Sequence, residues 1–260
     1  MRILSITIVV LAALLAGCGG NKERDAGPDA EELYRQASRA LNSQNYPEAI
    51  RLYRNLTIRF PFGRHAEQAM LDMAYAQYKG GESEAAIGTL DRFLRTYPTH
   101  PNVDYAWYLK GLVNYDVTMN FLRNLMPGRA SDRDQQSAHQ SFRDFQELIR
   151  RHPDSRYVAD ARQRMVFLRN IMARYEIAVG SYYARRGAHV AALNRARYVI
   201  ENYPGAPATI EALKLMANSY EKLNMPELAM DTRRVLEYNY AELMDDDKRE
   251  GLLSRLWPFD

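Results

Sequence analysis

A single cysteine in 260 residues is the most consequential scarcity in this chain. One thiol excludes an internal disulfide framework and a thiolate metal site, so stability has to come from packing. Charge of one sign is lacking too: 35 lysines and arginines face 32 aspartates and glutamates, for a formal charge of +3. Phosphate binding needs a concentrated basic face, and the doublets Arg185-Arg186 and Arg233-Arg234 are too short to supply one, so no nucleic-acid partner is expected. No apolar run reaches the ~20 residues needed to cross hydrocarbon as a helix. Nor does any stretch show sustained two-residue alternation, so no sheet is expected. None of the five histidines sits in a His-Glu-x-x-His arrangement, the glycines never gather to cradle a phosphate, and Asp245-Asp246-Asp247 lacks the spacing of a calcium loop. The chain is therefore expected to be neither an enzyme nor a holder of metal or cofactor.

What is present begins at the N-terminus. Arg2 gives a positive start, residues 3–16 an apolar stretch, and Ala16-Gly17 a small-residue cleavage site, the layout of a secretory signal. Leu15-Ala16-Gly17-Cys18 resembles a bacterial lipobox, in which the cysteine thiol takes a diacylglycerol and, after cleavage, the new amine takes a further acyl chain such as palmitate. Two or more chains are enough for stable anchoring. Cys18 is thus the expected lipidation site, and Gly19 after it fits outer-membrane sorting with the body on the periplasmic face. Residues 1–17 read as signal peptide and 18–28, polar and without period, as a flexible tether.

The body is a repeat. Small residues recur at Ala37, Ala74 and Gly111, each 37 residues on, and again at Gly180 and Ala217. Twelve residues later comes a second column, Ala49, Ala86, Ala192 and Ala229, with Ser141 as its member in the third repeat. A third column holds Pro61, Pro98, Pro153 and Pro204, preceded by Phe60, Tyr97, His152 and Tyr203, with Tyr240-Ala241 in the last repeat. Two antiparallel helices approach closely only where neither side chain exceeds a methyl group, and proline ends the second helix because it cannot continue it. This spacing of small, small and proline is that of the tetratricopeptide repeat. The fold expected is an all-α solenoid of five helix pairs, in which 47% apolar residues can bury a large core.

Two breaks interrupt the period. Pro98 and Pro153 stand 55 residues apart, 18 too many, which places an insertion at 118–133 containing Phe121, Leu122, Leu125 and Met126. Such a loop is either functional or packed back on its own solenoid. Pro153 and Pro204 stand 51 apart, 14 too many, assigned to an extra helix over about 155–173 that is able to run on into the next helix as one rod. The organisation expected is an N-terminal three-repeat half at 29–153, a C-terminal half with the extra helix and two repeats at 154–241, and an extension at 242–260.

In this architecture the first helix of each pair lines the concave side, and the positions three before and one and four after the small residue face inward. Those positions, with Tyr105 one turn earlier, supply Tyr34, Tyr75, Tyr78, Tyr105, Tyr108 and Tyr115 as the candidate peptide-binding groove. Tyrosine buries large area at low entropic cost while its hydroxyl still finds a partner.

From Cys18 to about Asn239 the chain resembles the BamD family, lipoproteins of the outer-membrane β-barrel assembly machinery. The resemblance rests on Phe60-Pro61-Phe62-Gly63, Thr99 through Tyr105, Ser131-Asp132-Arg133-Asp134, Val166-Phe167-Leu168, and Arg186-Gly187-Ala188 followed by Val190-Ala191. It implies a scaffold whose N-terminal repeats receive C-terminal targeting segments of unfolded outer-membrane proteins and whose C-terminal repeats dock the periplasmic domains of the barrel-forming subunit, in company with other assembly lipoproteins. On that reading the tyrosines hold aromatic rings, Lys79 or Lys110 attracts a terminal carboxylate, and Arg195 matches a family arginine that pairs with the barrel subunit. The alternative is a lipid-anchored repeat adaptor for peptidoglycan or cell-division proteins.

Overall fold

A computed structural model of the chain describes residues 29–124 and 132–241, with the backbone alone described at 121–124 and 132–134. The expected signal peptide, Cys18, the tether, the centre of the insertion and the 242–260 extension lie outside the described residues. Ten helices and no strand occur among those described: α1 Ala30–Asn42, α2 Tyr46–Arg59, α3 Arg64–Lys79, α4 Ser83–Thr96, α5 Val103–Asn124, α6 Asp132–Arg151, α7 Val158–Arg185, α8 His189–Asn202, α9 Thr209–Lys222 and α10 Pro226–Tyr240. The chain divides between Ala85 and Ala86, in the first turn of α4, into two compact units.

In the first unit, Asp29 starts α1 by accepting a hydrogen bond from the Glu32 amide at 2.8 Å, satisfying one of the helix's orphan donors. Gln44 at φ +59° reverses the chain, Asn45 caps α2, and Pro47 occupies that helix's first turn. α2 ends at Phe60 because Pro61 follows. α1 packs on α2 and α2 on α3, around Leu33, Ala37, Ala49, Tyr53, Leu56, Ala69 and Met73.

The second unit repeats the device. α5 packs on α6, α7 on α8, α8 on α9 and α9 on α10, with α6 also against α7. Phe145, Leu148, Leu168, Met172, Ala173 and Ala196 form the centre of its core. In both units the small-residue columns are buried, every alanine in them at most 2% exposed. The Ser141 hydroxyl donates to the Gly111 carbonyl at 2.8 Å, stitching α6 to α5.

The extra segment before the fourth repeat is not a separate helix. It is the N-terminal half of α7, which runs 28 residues unbroken from Val158 to Arg185. Neither proline nor glycine occurs from Val158 to Val179, and the glycine that follows, Gly180, lies deep inside a packed helix, where it lowers stability without ending the helix. The insertion begins in the same way, as a prolongation of α5 to Asn124.

Candidate functional site

In the first unit the expected groove tyrosines are knitted into its own contacts. Tyr34 on α1 donates its hydroxyl to Asp72 Oδ2 on α3 at 2.7 Å, and Gln68 donates to the other carboxylate oxygen at 2.9 Å. The Tyr34 ring also meets those of Tyr53 and His65, at 5.9 and 5.5 Å between centroids. Burial raises the Asp72 carboxyl above its ordinary range, although the donors Tyr34 and Gln68 favour its ionised form. Burial and the neighbouring Asp72 push the Tyr34 phenol up in turn. Tyr75 and Tyr78, one turn apart on α3, hold their rings 6.4 Å apart at 58°, and the Lys79 ammonium lies 5.8 Å from the Tyr78 centroid.

The second unit brings Tyr105, Tyr108 and Tyr115 of α5 together with the start of α7. Tyr157 stacks on Tyr108 at 4.6 Å and 15°, while Tyr105 tilts against the Tyr157 ring at 5.6 Å. Tyr108 donates its hydroxyl to Asp160 Oδ2 at 2.8 Å, and Arg164 Nε donates to that oxygen at 2.6 Å. Burial, with Asp160 alongside, pushes the Tyr108 phenol up to about 12. The Arg164 guanidinium then covers Tyr115, 4.7 Å from its centroid, and the Arg156 guanidinium stands 4.8 Å from the centroid of Tyr157. Tyr105, Tyr108 and Tyr157 remain half-buried and form a ladder of rings across two helices. Tyr115 does not share that face: at 6% exposure, beneath Arg164 and against Phe167, it is part of the floor.

Lys110 is likewise not available to a client. It is 8% exposed, with its ammonium 2.8 Å from Asp91 and 3.2 Å from Asp144, and 5.6 Å from the centroid of Trp107. Asp144 also accepts from Asn114 and Gln140. Burial works against the charged amine, but the two carboxylates outweigh it and hold Lys110 above its usual value. Neighbourhood in sequence suggests a carboxylate receiver; one turn of helix rotates the side chain into the core instead.

Arg195, on α8, donates Nη1 to Glu176 of α7 at 2.8 Å. Its side chain is 43% exposed, whereas that of Glu176 is 10% exposed, so the arginine presents a partly open face while tied to an acid behind it. The hydrogen bond to Glu176 raises the Arg195 pKa further. Gly180 lets the two helices meet here, since a β-carbon on it would stand 3.2 Å from Arg195 Cβ and 2.8 Å from Leu215.

Tyr157, Asp160 and Arg164 join the site without having been singled out by sequence. Their spacing of three and four residues places them on one face of the added half of α7, and that periodicity was the signal available. No group of His, Cys, Asp or Glu able to hold a metal occurs among the described residues, and no described helix is long and apolar enough to cross a membrane.

The helix pairs α1–α2, α5–α6, α7–α8 and α9–α10, with buried alanine, glycine or serine in their small-residue columns, define an all-α protein of the tetratricopeptide-repeat class. The model of the YfiO family, described as an outer membrane lipoprotein, matches residues 27–236, and the chain belongs to that family. It is 43% identical over 240 residues to the outer membrane protein assembly factor BamD of Neisseria meningitidis, covering 90% of each chain. To the protein of the same name from Pasteurella multocida it is 35% identical over 259 residues, covering 98% of this chain and 99% of the relative. Among solved structures, a thermophilic tetratricopeptide-repeat protein from Thermus thermophilus aligns over 88% of this chain and 99% of its own at a TM-score of 0.41 and 14% identity.

Proposed function

We propose that this chain is an outer-membrane protein assembly factor, a lipid-anchored periplasmic scaffold rather than a catalyst. The observation that carries the assembly role is the 43% identity, over nine-tenths of both chains, to a relative named for that role. Cys18 carries the anchor. The client site is the ring ladder of Tyr105, Tyr157 and Tyr108, which offers half-buried aromatic faces beside polar groups already oriented by one another. Extended segments ending in an aromatic residue suit such a surface, because offset rings gain attraction beyond the area they bury. Tyr34, Tyr75 and Tyr78 extend the client-binding role to the first unit. Arg195 docks the barrel-forming subunit through its exposed face, with other assembly lipoproteins completing the complex.

A photoreactive phenylalanine analogue at Tyr105 tests the client site. Crosslinks to the C-terminal peptide of an unfolded barrel protein are expected there, and capture of that peptide only at positions remote from the ladder would sink the assignment. Copurification from mild detergent tests the assembly role: a large β-barrel subunit is the expected companion, and a peptidoglycan synthase or hydrolase in its place would replace this reading. Labelled palmitate should enter the chain and be lost with Cys18→Ser; unchanged labelling would place the lipid elsewhere.

A further inference from the structure

Between Ala49 and Ala66 the chain carries four arginines, Arg51, Arg54, Arg59 and Arg64, and no acidic residue. Helix periodicity sorts this stretch. Ile50, Tyr53 and Leu56 turn into the core, while Arg51, Arg54 and Ile58, spaced three and four apart, line the outer face of α2. Ile58 is 71% exposed, and Phe62, just past the Pro61 stop, is 90% exposed. Gly63, at φ +98°, then swings the chain into α3, where Arg64 is exposed as the first residue. Two large apolar side chains thus stand out from the surface within a stretch of one charge sign. Arg51 is paired with Glu48, and Arg59 lies 5.3 Å from the centroid of Phe60. Arg54 and Arg64 make no side-chain hydrogen bond or ion pair among the described residues.

Apolar side chains that project singly rather than line a pocket, ringed by unpaired cations, match the boundary between lipid headgroups and acyl chains. There the apolar tips enter hydrocarbon, and guanidinium groups meet anionic headgroups. We propose that Ile58, Phe62, Arg54 and Arg64 form a membrane-surface contact for anionic lipid. The patch shares no residue with the ring ladder, and its case does not draw on the client-binding reading. Charge complementarity selects the occupant: a neutral surface would make no use of the arginines, and an acidic protein groove would have no need for two protruding apolar tips.

The full-length lipidated chain carrying Phe62→Trp, reconstituted into vesicles with brominated acyl chains, reports insertion through quenching of the added tryptophan; the parent chain supplies the Trp107 and Trp257 background. On vesicles of phosphatidylcholine with phosphatidylglycerol the added signal is expected to be quenched, and on phosphatidylcholine alone to stay bright. Arg54→Gln and Arg64→Gln should each lower the inserted-to-exposed ratio about fivefold, the equivalent of the ~1 kcal/mol per basic residue found near such surfaces. Tyr238→Trp, at a position 89% exposed on α10, should remain unquenched on both. Absence of quenching at 62, equal quenching on both vesicles, quenching at 238 to the same degree, or crosslinking from position 62 to a protein instead of lipid in native membranes would each overturn the proposal.

Discussion

The ring of Phe145 lies so close over Gly111 that a β-carbon on the glycine would stand 2.6 Å from Cε1 and 2.7 Å from Cδ1. Phe145 is fully buried, so its ring has no solvent to move into. Gly111→Ala should therefore overpack the α5–α6 crossing and cost about 1–3 kcal/mol. Urea denaturation of the variant checks this. Gly111→Ala with Phe145→Leu should recover part of the loss, and a single variant as stable as the parent would mean that the crossing has room for a methyl group.

Lys110 and Asp144 are the next test. Removing only the cation, as Lys110→Met, leaves the buried Asp144 carboxylate with amide donors alone and should destabilise by about 3–5 kcal/mol. Replacing both, as Lys110→Met with Asp144→Leu, should cost clearly less than the single change. A double-mutant cycle by urea denaturation reads the difference.

The Asp72 carboxyl makes a pH prediction. Its folded pKa lies above the unfolded value near 3.8, because burial outweighs the Tyr34 and Gln68 hydrogen bonds. Between those two values the folded chain holds more protons than the unfolded one, so this group's contribution to stability falls as pH rises through the window and stays low above it. Glu147, held down to about 2 by Arg150 and Arg151, contributes in the opposite sense, losing stability as pH falls toward 2. Asp72→Asn keeps an acceptor for Tyr34 and should flatten the first component alone. Denaturation midpoints collected from pH 2 to 7 compare the two slopes, the Glu147 component below about pH 4.5 and the Asp72 component above about 3.8.

Tyr157→Ala should remove the shared rung of the ladder while leaving Tyr105 and Tyr108 on α5. Crosslinking of client peptide at position 105 is expected to fall several-fold, as loss of an aromatic anchor usually costs more than 1 kcal/mol of binding. Circular dichroism of the variant guards against unfolding. Undiminished crosslinking would remove Tyr157 from the site.

Much of the fold was legible because methyl-sized residues at close helix crossings leave a regular mark. Ala37, Ala49, Ala192 and Ala229 are buried as that mark implies. The continuity of α7 was legible as an option, since Val158, Ala161, Leu168 and Met172 share one face. The candidate site was less so. The inward-facing positions follow from the geometry of short, regular repeats, and that rule does not distinguish an open face from a covered one. Tyr115 fits the rule yet lies beneath Arg164, a residue of the added helical half for which a regular repeat has no counterpart. Lys110 failed for a different reason: its partners Asp91 and Asp144 lie 19 and 34 residues away, beyond the reach of any local pattern.

The unbroken α7 has a mechanical consequence. At ~1.5 Å per residue its 28 residues make a strut about 42 Å long. Asp160, which fastens Tyr108, and Glu176, which holds Arg195, sit on that strut roughly 24 Å apart. Neither anchorage can be tilted as a rigid unit without turning the other, unless the rod itself bends or its internal hydrogen bonds give way.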